Sequence, residues 1–68
     1  MNDETRDQVV ALLTRIGMMA EDLSAIALGA VERSNEELAG LVWEIQRREL
    51  AIKVLGEEAA SIAFIGHP

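Results

Sequence analysis

Glu32-Arg33-Ser34-Asn35-Glu36-Glu37 is a run of six residues without one apolar side chain. The apolar periodicity of the chain stops before it, at Val31, and restarts after it, at Leu38. Ser34-Asn35-Glu36-Glu37 has the Ser-x-x-Glu form of a capping box, with two acids in the first turn of the helix it would open. The run therefore reads as the end of one helix and the start of another. The connection can be only a few residues long, so the two helices should fold back antiparallel as a hairpin. The competing possibility is one continuous helix through Ser34, since nothing in the run forbids helical geometry.

On the N-terminal side, Val9, Leu12, Ile16, Met19, Leu23, Ile26 and Ala30 step by three and four residues. This is a heptad pattern, and it predicts one apolar helix face. A second stripe runs beside it: Val10, Leu13, Gly17, Ala20, Ser24, Ala27 and Val31. Together they are wider than a two-stranded seam needs, and suit a helix that touches two neighbours. The small residues in the second stripe would let another helix come close. Gly17 and Gly29 mark either close packing or a break, and a break at Gly17 would give three shorter helices. Asn2, Asp3 and Thr5 are candidate N-caps, and Thr5-Arg6-Asp7-Gln8 has the form of a capping box. The first helix is expected over about residues 4–32.

On the C-terminal side, Leu38, Leu41, Ile45, Arg48, Ile52, Leu55, Ala59 and Ile62 repeat the stepping, with Val42, Gly56 and Ala63 widening the stripe. The second helix is expected over about residues 35–65, closed by Gly66-His67-Pro68 with Gly as the C-cap. Glu44–Arg48 and Glu49–Lys53 are i, i+4 pairs in the favoured order. The fold class is thus all-α: one domain over residues 1–68, two long helices in an antiparallel hairpin. Each helix would be roughly 45 Å long at 1.5 Å per residue, and a lone hairpin of that length leaves apolar surface in water. Two hairpins packed as a four-helix bundle would cover it, so a homodimer is expected.

Composition narrows the chemistry. The chain has 68 residues, a limited size for an independent core. It has no cysteine and one histidine, next to the C-terminus, which removes disulfides and Cys/His zinc sites. Nucleophilic catalysis through serine lacks its base. The five glycines are isolated, so no phosphate loop is present. No Glu-x-x-His motif points to a di-metal bundle. Met18 and Met19 read as core filler. No cofactor, metal site or catalytic residue is expected, and an enzyme is not. The net charge of -6, from 12 acids and 6 bases, argues against direct binding to nucleic-acid phosphates. The N-terminus is acidic where a signal peptide is basic and then apolar, and no segment is long and apolar enough for a bilayer. The expectation is a soluble, cytoplasmic chain.

Two constellations on the second helix remain. Arg48 interrupts the core stripe, and pairing of Arg48 with Asp22 and of Glu49 with Arg15 would form a polar layer between the helices. Trp43, Arg47, Leu50 and Val54 step by four, three and four, away from the core stripe. Trp and Arg are the residues most enriched in interface hot spots, so this line is expected to be a dimer seam or a binding surface for another protein. The functional expectation is a non-catalytic, acidic helical regulator or inhibitor that binds a protein partner, of the antitoxin, anti-activator or phage-inhibitor class. The alternatives are a structural oligomerisation module, or a helical bundle that binds a small anionic ligand near Arg47 and Arg48.

Overall fold

The computed structural model describes residues 1–65 and shows two long helices folded back on each other, without a strand among the described residues. Helix α1 covers Asp3–Leu28, and α2 covers Asn35–Ala60. A 3-10 turn, Gly29–Glu32, continues α1, and a π-helical turn, Ser61–Ile65, continues α2. The expected closure at Gly66, His67 and Pro68 lies outside the described residues. The hairpin measures 52 × 15 × 10 Å. No helix among the described residues is long and apolar enough to cross a membrane.

The connection is where the polar run places it. Arg33 is extended, with φ -93° and ψ 151°, and breaks the helical path. Ser34 then caps α2. Its hydroxyl accepts the Glu37 N–H at 3.3 Å, and the Glu37 carboxylate accepts the Ser34 N–H at 3.2 Å and its hydroxyl at 3.0 Å. This reciprocal box satisfies amide donors that a helix start leaves unpaired. The Arg33 guanidinium closes on the same carboxylate at 3.1 Å. The hydrogen bond from the Ser34 backbone, then that from its side chain, then that from Arg33 hold the Glu37 carboxyl below its ordinary pKa.

At the other end Asn2 is the cap of α1. Its side-chain oxygen accepts the Thr5 N–H at 2.7 Å. Thr5 is itself helical, so the Thr5–Gln8 box of the sequence is not used. An N-cap needs extended backbone, and here Asn2 has it, with ψ 175°.

The heptad stripes face each other as expected. Every residue of Val9, Leu12, Ile16, Met19, Leu23, Ile26 and Ala30 is buried or half-buried, and so is every residue from Leu38 through Ile62 in the matching stripe of α2. The innermost are Leu12, Leu55 and Ala59, packed with Ile16, Met19 and Ile62. Gly17 does not break α1. A Cβ built at Gly17 or Gly56 would meet nothing within 4 Å, so neither glycine serves close packing inside the hairpin.

The second stripe of α1 differs from the first. Val10, Leu13, Gly17, Ala20, Ser24, Ala27 and Val31 are all exposed. A two-helix hairpin supplies one neighbour per helix, and the inner stripe takes it. Met18 is exposed too, against its reading as core filler, because it lies 100° from Met19, which the core does take. Gly56 of α2 and Ala63 of the π-helical turn widen the buried stripe as expected, while Val42 is exposed.

Candidate protein-binding face

The outer side of α2 is built from residues that the Leu38–Ile62 stripe leaves over. Trp43 and Leu50 are each 62 % exposed and Val54 53 %. Trp43 and Arg47 are one turn apart, and the Arg47 guanidinium lies over the indole, 5.2 Å from the ring centroid. That is cation–π distance. The arrangement sets a flat aromatic and a planar cation side by side on the exposed face. Leu50 and Val54 continue it along the helix.

The patch runs into a shallow groove between the helices. Arg47, Leu50 and Val54 form its α2 wall, Arg15 and Met19 its α1 wall, with Ala51 and Leu55 between them. A neighbouring depression is bordered by Glu44, Arg47, Arg48 and Met19. Arg15, Arg47 and Arg48 therefore border one side of the hairpin. Sequence reasoning did not place Arg15 there. The signal was available: Arg15 lies one residue before core residue Ile16, and Ala51 one before Ile52, so both fall on the same flank of their stripes.

The polar layer is arranged differently from the expectation. Among the described residues, Arg48 pairs with Glu44 of its own helix and not with Asp22. Its guanidinium lies 3.7 Å from the Glu44 carboxylate and donates to the Glu44 carbonyl at 3.2 Å. Glu44 is one turn away on the same rigid helix, whereas Asp22 must be reached across the hairpin. Glu49 does not pair with Arg15. Arg47 and Glu49 are 200° apart around α2, so a groove that unites Arg15 with Arg47 puts Glu49 on the opposite side. The expected Glu49–Lys53 pair is also not formed among the described residues, where the ion pairs are Arg33–Glu37 and Arg48–Glu44.

Among the described residues no three His, Cys, Asp or Glu side chains gather as metal ligands would. The groove is open and shallow, and its polar groups are guanidinium donors without an adjacent base. What it offers is an exposed Trp–Arg pair, an aliphatic shelf, and cations that bind carboxylates well through paired N–H donors. Comparison of the chain with known protein families, curated proteins and solved structures gives no match.

Proposed function

We propose that this chain is a non-catalytic, acidic helical protein that acts by binding another protein, as a regulator or inhibitor of the antitoxin, anti-activator or phage-inhibitor class, in the cytoplasm. Trp43, Arg47, Leu50 and Val54 are its contact residues, with Arg15 at the rim. The observation that carries the reading is the Arg47 guanidinium held over an indole that is 62 % exposed. Hot spots are enriched in these two residues, Trp for its large contact area and Arg for its planar set of donors. A partner segment of complementary chemistry carries an apolar side chain for the Trp43–Leu50 shelf and a carboxylate for Arg47 or Arg15. The working unit of this reading is a homodimer, two hairpins in a four-helix bundle.

The test is affinity capture from the native host with wild-type protein and with Trp43→Ala. The reading requires that the variant keep its helical circular dichroism and its oligomeric mass, and that it lose a partner that wild type retains. Equal capture by both proteins would overturn it. So would a variant that dissociates or unfolds, since the patch would then be structural.

A second reading has one observation behind it. Arg15, Arg47 and Arg48 border the same side of the hairpin, as a site for a small anionic ligand would require. It predicts a thermal shift with an anionic metabolite that Arg47→Ala and Arg48→Ala each remove.

A further inference from the structure

The exposed second stripe of α1 is a separate surface. Val10, Leu13, Gly17, Ala20, Ser24 and Ala27 lie within one continuous helix, all exposed, and none carries a charge. At 1.5 Å per residue they span about 26 Å. Arg15, two residues from both Leu13 and Gly17, is on the far side of α1. The stripe and the Trp43 groove are therefore on different faces of the hairpin.

We propose that this stripe is the seam for a second copy of the chain, with the two α1 helices packed antiparallel about a two-fold axis that passes between Gly17 and Ala20. The proposal deepens the homodimer of the preceding reading by locating its interface away from Trp43.

Area is the first argument. The chain exposes 5301 Å², where a compact monomer of 7.4 kDa would expose about 4200 Å². The excess is about 1100 Å² per chain. Stable interfaces bury about 800 Å² per partner, and obligate homodimers more. One further copy is thus of the right size to cover what this hairpin leaves open.

Charge is the second. Each chain carries a net charge of -6, so copies repel except where they meet on neutral surface. The α1 stripe is neutral over its whole length. A two-fold contact sets a patch against itself. On the Trp43 face that would bring the Arg47 guanidinium of each copy towards its twin.

Shape is the third. The stripe reads large, large, small, small, small, small. In antiparallel register Val10 faces Ala27 of the other copy, Leu13 faces Ser24, and Gly17 faces Ala20. Every large side chain then meets a small one. A parallel seam would set Leu13 against Leu13 and leave the small residues facing a gap. This also explains Gly17. A glycine in mid-helix with open space around it does nothing for the isolated hairpin, but it lets two helix backbones come close.

The chain has no cysteine, so single thiols report the seam directly. Leu13→Cys and Ser24→Cys chains are prepared separately, refolded together and oxidised. The expected result is a mixed disulfide between the two variants and none when either is oxidised alone. In the antiparallel register Leu13 and its own twin are about 16 Å apart along the axis, beyond disulfide reach. Sedimentation supplies the second measurement. Wild type and Trp43→Ala should both run as dimers. Ala20→Glu, which sets two carboxylates at the axis but remains a good helix former on the exposed surface, should run as a helical monomer. A wild-type monomer at tens of micromolar would overturn the seam and the homodimer with it, leaving only the role of Trp43 as a partner contact, which capture tests separately. A dimer that Trp43→Ala dissociates and Ala20→Glu does not would also overturn it, as would self-linking of Leu13→Cys without the mixed product.

Discussion

The Arg47 guanidinium lies 5.2 Å from the centre of the Trp43 ring, one turn along the same helix. Both side chains are exposed, so the contact adds only about 0.5–1 kcal/mol to stability. Trp43→Ala and Arg47→Ala should therefore each change the unfolding free energy by about 1 kcal/mol or less, measured by urea titration at 222 nm. Their effect on partner binding should be far larger, about 2 kcal/mol or more for a hot-spot Trp, read by calorimetry against the captured partner. A stability loss comparable to the binding loss would show that Trp43 is packed and not presented.

The difference between what could be read in the sequence and what could not follows from what each pattern encodes. The core stripes from Val9 to Ala30 and from Leu38 to Ile62 are read directly, because a three–four step names the residues that share one side of a helix. The Ser34 box is read directly too, because its donors and acceptors are all local. Asn2, Asp3 and Thr5 were harder to separate: each has a capping oxygen, and only the extended backbone at Asn2 decides. The polar layer failed for a geometrical reason. Arg15 and Glu49 are at matching heights along the hairpin but on opposite flanks of it. Height follows from residue number, whereas the flank follows only after each residue is referred to its own core stripe. The exposed stripe of α1 was expected to meet another helix, and α2 is not that helix.

The Ser34 box predicts a cap effect with a defined pH dependence. Ser34→Ala removes the oxygen that accepts the Glu37 N–H, at a cost of about 1 kcal/mol at neutral pH. Hydrogen bonds from Ser34 lower the Glu37 pKa in the folded state. A lowered carboxyl stabilises the fold above its ordinary pKa, and that stabilisation fades as pH falls through the folded-state value. The gap between wild type and Ser34→Ala should thus narrow in acid, below the ordinary glutamate range. Carbon-13 titration of the Glu37 carboxyl should show its pKa rise in Ser34→Ala. An unchanged Glu37 titration would show that the box is not held in solution.

A core this thin makes the chain sensitive at very few positions. Leu12, Leu55 and Ala59 are the buried apolar residues among those described. Leu55→Ala should cost about 2–5 kcal/mol, the usual range for truncating a buried leucine. A domain of this size holds only about 3–10 kcal/mol in total. Leu55→Ala should consequently lose a large share of the fold's stability and melt well below wild type. Leu50→Ala, at an exposed site five residues earlier, should change stability by about 0.5 kcal/mol or less. Thermal melts of the pair, at equal protein concentration, separate the two; similar melting temperatures would contradict the packing described.

Arg48 is the one charged residue on the buried stripe of α2, and it is paired only locally. The Arg48 and Glu44 side chains are 37 % and 54 % exposed and 3.7 Å apart, a geometry in which water screens most of the attraction. Such pairs contribute about 1 kcal/mol at most. Leucine at this position would extend the apolar row between Ile45 and Ile52 and give up little in exchange. Arg48→Leu should accordingly raise the melting temperature by a few degrees, about 4–8 °C for each kcal/mol gained in a domain of this length. The stem of Arg48 already covers part of the stripe, so the gain should stay below that of a fully buried leucine. If Arg48 also fixes which hairpins associate, the more stable variant should lose its single sedimenting species and show a mixture of masses. A fall in melting temperature would instead mean that the guanidinium bonds to Glu44 contribute more than their exposure allows.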